Sequence, residues 1–263
     1  MPDKKGDVRM SETVNLKEQP DIKELIYVLE SNGLKRGQQE VESLVDILEN
    51  IGEQFTQMLG ELQAVRGELA NMQNKGIRAT VSRTLENAEG KTQEILGKIF
   101  EIRKNLVCSA KNAVAVFKEK GVDALRKAVS AMKIPQVLSA IKSMLHNGKE
   151  KMNGKAEKTQ LLAQEIYKVK EHRKNIGRII TGKQVKKPTE QADRGILAKI
   201  QRTFLSCGKV YAGLEQKAEK ALNCVEEFCR GAEKKPSVKE DLRMLKHRKA
   251  EQRSVPTKQE QTR

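Results

Sequence analysis

Residues 41–72 have the sequence VESLVDILENIGEQFTQMLGELQAVRGELANM. Ten apolar side chains recur in it at alternating steps of three and four, the spacing that places them on one side of an α-helix. Other apolar residues widen this stripe, which favours a bundle of helices over a two-stranded coiled coil. The stretch therefore predicts one helix of roughly 50 Å that packs against other helices. This first seam consists of Val41, Leu44, Leu48, Ile51, Phe55, Met58, Leu62, Val65, Leu69 and Met72.

A second seam of the same regularity lies in residues 195–231. A weaker run of the same kind spans residues 85–106, and a further helix is expected at residues 156–180. Together they predict an all-α protein, an elongated helical bundle or coiled coil with flexible termini. Heptads alone do not show whether the seams close within one chain or between chains. The second seam consists of Leu197, Ile200, Phe204, Cys207, Tyr211, Leu214, Ala218, Ala221, Val225 and Phe228.

Turn residues and charge divide the chain into segments. Gly33 is expected to close a first short helix in the left-handed conformation, and Gly121 and Pro135 are expected to break the central region into shorter helices. The expected segments are a flexible lead (1–19), an acidic short helix plus the first seam helix (20–74), a basic helical region (75–181), a linker (182–194), the second seam helix (195–231) and a basic, mostly disordered tail with one short helix (232–263).

The chain is strongly basic, with a formal net charge of +16, but this charge is uneven. Residues 11–74 hold 5 basic and 12 acidic side chains, a net −7, whereas residues 75–263 hold 43 basic and 21 acidic ones, a net +22. The acidic helix of the first seam is therefore expected to lie along a basic helix. Such pairing would orient the packing more than it would strengthen it.

The composition disfavours catalysis. Aromatic residues make up only 3% of the chain and Trp is absent, so few side chains can line a deep pocket. The His and Cys residues do not have the spacing of metal ligands or of a nucleophile and its base, and Cys207 is expected to be a core residue. We expect no enzymatic activity, no cofactor, no metal and no small-molecule substrate. A polar N-terminus and the lack of a long apolar stretch favour the cytoplasm.

Two basic regions could bind acidic partners. Residues 103–155 combine 12 basic and 3 acidic side chains with apolar ones, as a helix on an anionic membrane surface would. The simpler interpretation is an inward apolar face with a solvated basic exterior. A second cluster could contact the phosphate backbone of nucleic acid or remain solvated. Its candidate anion-binding residues are Lys168, Lys170, Arg173, Lys174, Arg178 and Lys183.

Several segments resemble a family of uncharacterised helical proteins, a domain of unknown function encoded in Firmicutes among genes of conjugative and other mobile elements. The resemblance covers most of the chain and implies a bacterial, cytoplasmic protein accessory to a mobile element. It brings no known activity or functional residues. The segments that carry it are KELIYVLESNG (23–33), GELQAVRGELANMQ (60–73), KNAVAVFKEKGVDAL (111–125), NIGRIITGK (175–183) and KPSV (235–238).

The long seams without catalytic residues favour a non-enzymatic helical scaffold or adaptor that associates with a protein partner or with itself. The first alternative is a nucleic-acid-associated accessory protein that binds the phosphate backbone through basic helices. The second is a peripheral protein on an anionic membrane surface.

Overall fold

The computed structural model describes residues 15–70, 72, 74–186 and 195–233 of the chain, with side chains up to residue 227. In this part no strand occurs, so the predicted all-α class is confirmed. The α-helices are α1 (Pro20–Ser31), α2 (Lys35–Leu69), α3 (Lys75–Lys120), α4 (Val122–Ala131), α5 (Ile134–Ile180) and α6 (Ile196–Glu233), after a short 3-10 helix at Leu16–Glu18.

Backbone contacts divide the chain into two units, Met1–Asn223 and Cys224–Arg263. In the second unit α6 continues to Glu233, and Val225 is buried. The bundle described below belongs to the first unit. The side chain of Phe228, in the second seam, lies outside the described side chains. The short helix expected in the tail lies outside the described residues.

Four long helices of the first unit, α2, α3, α5 and α6, form an up-down-up-down bundle in which each neighbour runs antiparallel to the next. Contacts between side chains give the order: α2 meets α3, α3 meets α5, α5 meets α6, and α6 returns to α2. The contacts are Arg66 with Glu89 at 3.1 Å, Lys155 with the Thr84 carbonyl at 3.4 Å, Lys142 with Glu219 at 2.8 Å, and Lys217 with Asn50 at 2.6 Å.

The start of α2 and the end of α3 are flanked by the two short helices. Lys118 on α3 pairs with Glu24 on α1 at 2.8 Å. A Cβ added to Gly37 on α2 would lie 3.3 Å from Cγ1 of Val129 on α4. Gly33 closes α1 with a φ of +68°, as predicted, because glycine adopts this left-handed conformation without a steric cost.

Residues 1–19 were predicted to be flexible, but residues 15–19, the part of this segment that the structure describes, pack on the bundle. Residues 15–19 include the short 3-10 helix, and Leu16 is buried. Lys17 pairs with Asp46 at 2.6 Å, and its backbone N–H donates to Glu49 at 3.0 Å. These contacts hold the segment against α2.

The helix breaks are partly as expected. Gly121 separates α3 from α4. Pro135 lies in the first turn of α5, where backbone N–H groups have no acceptor within the helix, so the N–H that proline lacks is not missed. The helix expected at residues 156–180 is only the second half of α5, which is a single helix of 47 residues. Helix α3 continues without a break through Gly76 and Gly90, two glycines near its start.

Both seams are buried inside the single chain. In the first seam only Met72, which follows the end of α2, is half-exposed. In the second seam Leu197, Ile200, Phe204, Cys207, Tyr211, Leu214 and Ala218 are buried, and Ala221 is half-buried. Burial raises the pKa of the Cys207 thiol to about 12, so this thiol stays protonated in the core. In the described residues of the first unit, both seams therefore close between helices of one chain.

One layer of the bundle takes a residue from each long helix. The Tyr211 ring on α6 packs edge-to-face on Phe55 of α2, with ring centroids 5.0 Å apart. Its hydroxyl lies 3.5 Å from Thr92 Oγ1 on α3. On α5 the ring faces Gly148, where an added Cβ would lie 2.2 Å from Tyr211 Cε1. The glycine therefore makes the space that the ring occupies.

Glu89 on α3 carries a buried carboxylate that is only half satisfied. Its Oε2 lies 3.1 Å from Arg66, whereas its Oε1 has no hydrogen-bond partner in the described structure. Burial raises the pKa of Glu89 more than Arg66 lowers it. A carboxyl whose folded-state pKa lies above its unfolded value loses stabilising effect as the pH rises from 4.5 through the folded pKa.

We expect Glu89→Gln to raise the melting temperature at pH 7 by about 2–4 °C, because the neutral amide has no charge to desolvate. Melts followed by circular dichroism from pH 4 to pH 8 measure this. The difference between the variant and the parent should shrink as Glu89 becomes protonated. Glu101→Gln, at an exposed position of the same helix, is the control. A lower melting temperature for Glu89→Gln at pH 7 would mean that the ion pair with Arg66 outweighs burial.

Candidate functional site

The second half of α5 extends beyond its neighbours in the bundle. Gln160 on α5 hydrogen-bonds to Gln201 on α6 at 3.1 Å, and α6 begins only five residues before Gln201, at Ile196. On the other side, Lys155 contacts Thr84, and α3 begins at Lys75. In these antiparallel pairs α5 therefore continues for about 15 residues, or roughly 22 Å, past both neighbours. We call residues 166–186 the α5 overhang.

The overhang carries all six candidate anion-binding residues. Arg178 is half-buried and the other five are exposed. Lys168 pairs with Glu165 at 2.8 Å and Lys174 with Glu171 at 2.6 Å. No carboxylate of the described residues lies within ion-pair distance of the other four cations, which are Lys170, Arg173, Arg178 and Lys183. With seven basic residues and one acidic residue, the overhang has a net charge of +6.

Large apolar side chains are exposed on the same segment. Their helical spacing places Val169, Ile176, Ile179 and Ile180 on one side of α5, with exposed fractions of 64%, 58%, 62% and 79%. Val185, after the helix, is also exposed. The spacing at residues 156–180 predicted a helix but did not indicate that Val169 is exposed on it, or that the three isoleucines are. Their place in the NIGRIITGK segment, among basic residues, was the available signal.

On the opposite side of the overhang, residues 183–186 fold back along α5 and contact it. Gly182, with a φ of +67°, ends α5, and the chain turns back along the helix. The Asn175 side chain donates to the Lys186 carbonyl at 2.8 Å and accepts from the Lys186 backbone N–H at 3.2 Å. Arg178 donates to the same Asn175 oxygen at 2.7 Å. This part of the predicted linker is therefore ordered on α5, whereas residues 187–194 lie outside the described residues.

The other basic region, residues 103–155, has no comparable apolar surface. Val114, Leu125, Val129 and Leu138 are buried in the bundle, and Val116, Phe117 and Val122 are half-buried. A helix that lies on a membrane needs such side chains on its outer face. In the described part of the chain, no helix is both long enough and apolar enough to cross a bilayer.

A model for a family of unknown function, DUF6674, matches residues 18–263. The chain belongs to this family. The match covers every α-helix described here, including the overhang, and it confirms the resemblance to an uncharacterised family. No curated protein and no solved structure shows significant similarity to the chain.

In this member of DUF6674 the overhang combines two kinds of surface. Each exposed isoleucine would contribute about 1.5–3 kcal/mol if it were fully buried against an apolar partner. The unpaired cations beside them would select a partner that carries acidic groups. The overhang is therefore complementary in its chemistry to a surface that is both amphipathic and acidic.

Proposed function

We propose that this protein is a non-enzymatic helical adaptor, and that its α5 overhang binds an acidic amphipathic helix of a partner protein. One observation carries the proposal: exposed Val169, Ile176 and Ile180 lie beside unpaired cations on a helix that extends past its bundle. Large exposed apolar patches rimmed by polar residues are typical of interaction sites. The buried seams stabilise the bundle that presents this surface.

The spacing of the apolar side chains favours a helix as the occupant. Val169, Ile176 and Ile180 recur at steps of seven and four, the same periodicity that pairs helices in the bundle itself. A partner helix laid along this stripe would bury the isoleucines. Acidic residues on its flanks would then lie near Lys170 and Arg173, which supports an acidic partner over a basic one.

Nucleic acid fits this surface less well and remains the first alternative. Lys170, Arg173 and Lys183 could each contact a phosphate. Such contacts would leave the isoleucines in water, and Tyr167, the only Phe, Tyr or Trp of the overhang, is half-buried. Stacking on bases therefore has little support.

An anionic membrane surface is the second alternative. The apolar stripe would enter the interface, and the cations would meet lipid headgroups. The helical spacing, however, places Glu165 and His172 within the same arc as Val169 and Ile176. Insertion of the stripe would bury a carboxylate, at a cost that a helical protein partner with a matching polar residue avoids.

Photo-crosslinking tests the adaptor proposal. Benzoylphenylalanine replaces Ile176 on the overhang or, as the matched control, Phe100, which is 63% exposed on α3. We expect a discrete protein adduct in the native host from position 176 and not from position 100. Adding Lys170→Glu and Arg173→Glu should reduce its yield by about tenfold, because the charges would then repel an acidic partner. Mass spectrometry should place the crosslink in an acidic amphipathic segment.

Other outcomes would overturn this proposal. An adduct removed by nuclease would identify nucleic acid as the partner, and a lipid adduct would identify a membrane surface. An adduct of two copies of this chain would identify self-association. Equal adducts from positions 176 and 100, or a yield unchanged by the two charge reversals, would mean that the overhang is not a specific surface.

From the resemblance described above we further propose that the protein acts in the bacterial cytoplasm as an accessory to a mobile element. Cell fractionation and the frequency of element transfer in a deletion strain test this. Recovery of the protein in the membrane fraction would contradict the cytoplasmic location. An unchanged transfer frequency would contradict the role as an accessory to a mobile element.

A further inference from the structure

A cavity of about 470 Å³ opens between α3 and α5, apart from the overhang. Its floor contains Ile95, Met144, Met152 and the Tyr211 ring. Its walls carry five lysines and one carboxylate: Lys91, Lys98, Lys151, Lys155, Lys158 and Glu94. Pockets of this size with an apolar floor and a few charged groups are typical of small-molecule sites. We call it the lysine groove.

The carboxylate of the groove is already fully engaged. Glu94 lies 2.7 Å from Lys91 and 3.0 Å from Lys98 on the same helix. Hydrogen bonds from these two lysines, that from Lys91 first, lower the pKa of Glu94 to about 2. Glu94 therefore neutralises part of the α3 wall and leaves the cations of the α5 wall without a counterion.

Three lysines of the α5 wall share one face of that helix. Lys151, Lys155 and Lys158 stand at steps of four and three, and no described carboxylate lies within ion-pair distance of them. The Lys155 ammonium donates a single long hydrogen bond, to the Thr84 carbonyl at 3.4 Å. Burial lowers the pKa of Lys155, and repulsion from Lys158 and Lys151 lowers it further. An anion placed among the three would relieve this repulsion.

The groove is chemically different at its two ends. In the antiparallel pair of helices, the paired Glu94 and Lys98 lie towards one end, Lys155 and Lys158 lie towards the other, and Met152 and the Tyr211 ring lie between them. A ligand that fits the lysine end and the adjoining apolar floor has an apolar body and a multiply charged anionic group. Phosphate monoesters and short polyphosphates carry two or more charges at neutral pH, which suits three adjacent ammonium groups.

We propose that the lysine groove binds a small phosphorylated molecule with an apolar body, its phosphate held by Lys151, Lys155 and Lys158 and its apolar part on Met152 and the Tyr211 ring. The proposal concerns a site that the adaptor function does not use. It would make the protein a sensor or carrier of a phosphorylated metabolite, with no chemical change to the ligand.

Isothermal titration of the full chain with 1-naphthyl phosphate tests the proposal. Inorganic phosphate supplies the charge without the apolar body, and 1-naphthol supplies the apolar body without the charge. We expect saturable binding of 1-naphthyl phosphate, about tenfold tighter than that of either fragment. Lys155→Met, which keeps most of the side-chain volume, should weaken binding by about tenfold because one charged hydrogen bond is lost. Lys209→Met, at an exposed position of α6, should leave binding unchanged.

A second variant covers the case in which Lys155→Met fails to fold. Gly154 lines the groove, and no atom lies within 4 Å of a Cβ built on it. Gly154→Leu should therefore fill part of the groove, abolish binding and favour the helix. Undiminished binding by Gly154→Leu, or no saturable binding of 1-naphthyl phosphate at millimolar concentration, would overturn the proposal. So would binding only of a 5′-phosphorylated oligonucleotide or of phosphatidic acid vesicles, the other sources of the same phosphate chemistry. Crosslinking at position 176 reports on the overhang alone, so the two proposals fail separately.

Discussion

Gly148→Ala is expected to destabilise the bundle by about 2 kcal/mol or more, although alanine is the better helix former. The added Cβ would lie 2.2, 2.6 and 2.7 Å from three carbons of the Tyr211 ring. The ring cannot move away easily, because it is fully buried and packs on Phe55. The helices α5 and α6 must separate to relieve the overlap, and neighbouring layers lose packing as a result.

Urea unfolding followed by circular dichroism measures this loss. Gly154→Ala, six residues further along α5, is the matched control because its Cβ would meet no atom within 4 Å. It should stabilise the protein by about 1 kcal/mol through helix propensity alone. Combination of Gly148→Ala with Tyr211→Leu should recover part of the loss, since the clash involves ring atoms. Equal effects of alanine at positions 148 and 154 would refute the close contact.

Tyr211→Ala is expected to destabilise the bundle by about 3–5 kcal/mol, the cost of removing a fully buried aromatic side chain. The ring fills the space between Phe55, Thr92 and Gly148, and it also forms part of the floor of the lysine groove. Its loss would join the resulting cavity to the groove and admit water to the centre of the core. The large apolar area of the ring makes this position one of the most sensitive in the unit.

The hydroxyl of Tyr211 should matter much less than its ring. The hydroxyl lies 3.5 Å from Thr92 Oγ1, which is long for a hydrogen bond between two hydroxyls. Burial raises the pKa of Tyr211 to about 12, so the phenol stays neutral in the folded protein. Tyr211→Phe should therefore change the free energy of unfolding by less than about 1 kcal/mol. A loss for Tyr211→Phe as large as that for Tyr211→Ala would mean that the hydroxyl, not the packing of the ring, holds this layer.

The charge pattern predicted the packing only in part. The acidic first seam helix was expected to lie along a basic one, and Lys199 on α6 does pair with Glu68 on α2. In the ion pair between α2 and α3 the charges are reversed, since the cation, Arg66, is on α2 and the carboxylate, Glu89, is on α3. Other acidic residues of α2 pair locally, as Glu40 does with Arg36 one turn earlier. Surface charges are weak and adaptable, so their sum along a segment does not determine which helix lies beside it.

The candidate site was predicted in its charge but not in its shape. Lys170, Arg173 and Lys183 were identified from the density of basic residues, whereas the exposure of Ile176 and Ile180 was not. An apolar residue on a helix is usually buried, and only the lengths and register of α3, α5 and α6 leave these two beyond the bundle. The lysine groove was missed for a similar reason, because its walls come from residues about 60 positions apart.

The helical class and the apolar side of each long helix can be read from the amino-acid sequence without a structure. The seams of Val41–Leu69 and Leu197–Ala218 follow from a spacing of three and four, which is a local property of the chain. Three features depend on how the helices are packed: the closure of these seams within one chain, the position of Tyr211 in the space at Gly148, and the projection of α5 past its neighbours. A heptad pattern specifies that a helix has a partner without specifying which one. The alignment of helix ends, which creates the overhang, depends on contacts between residues far apart in the chain.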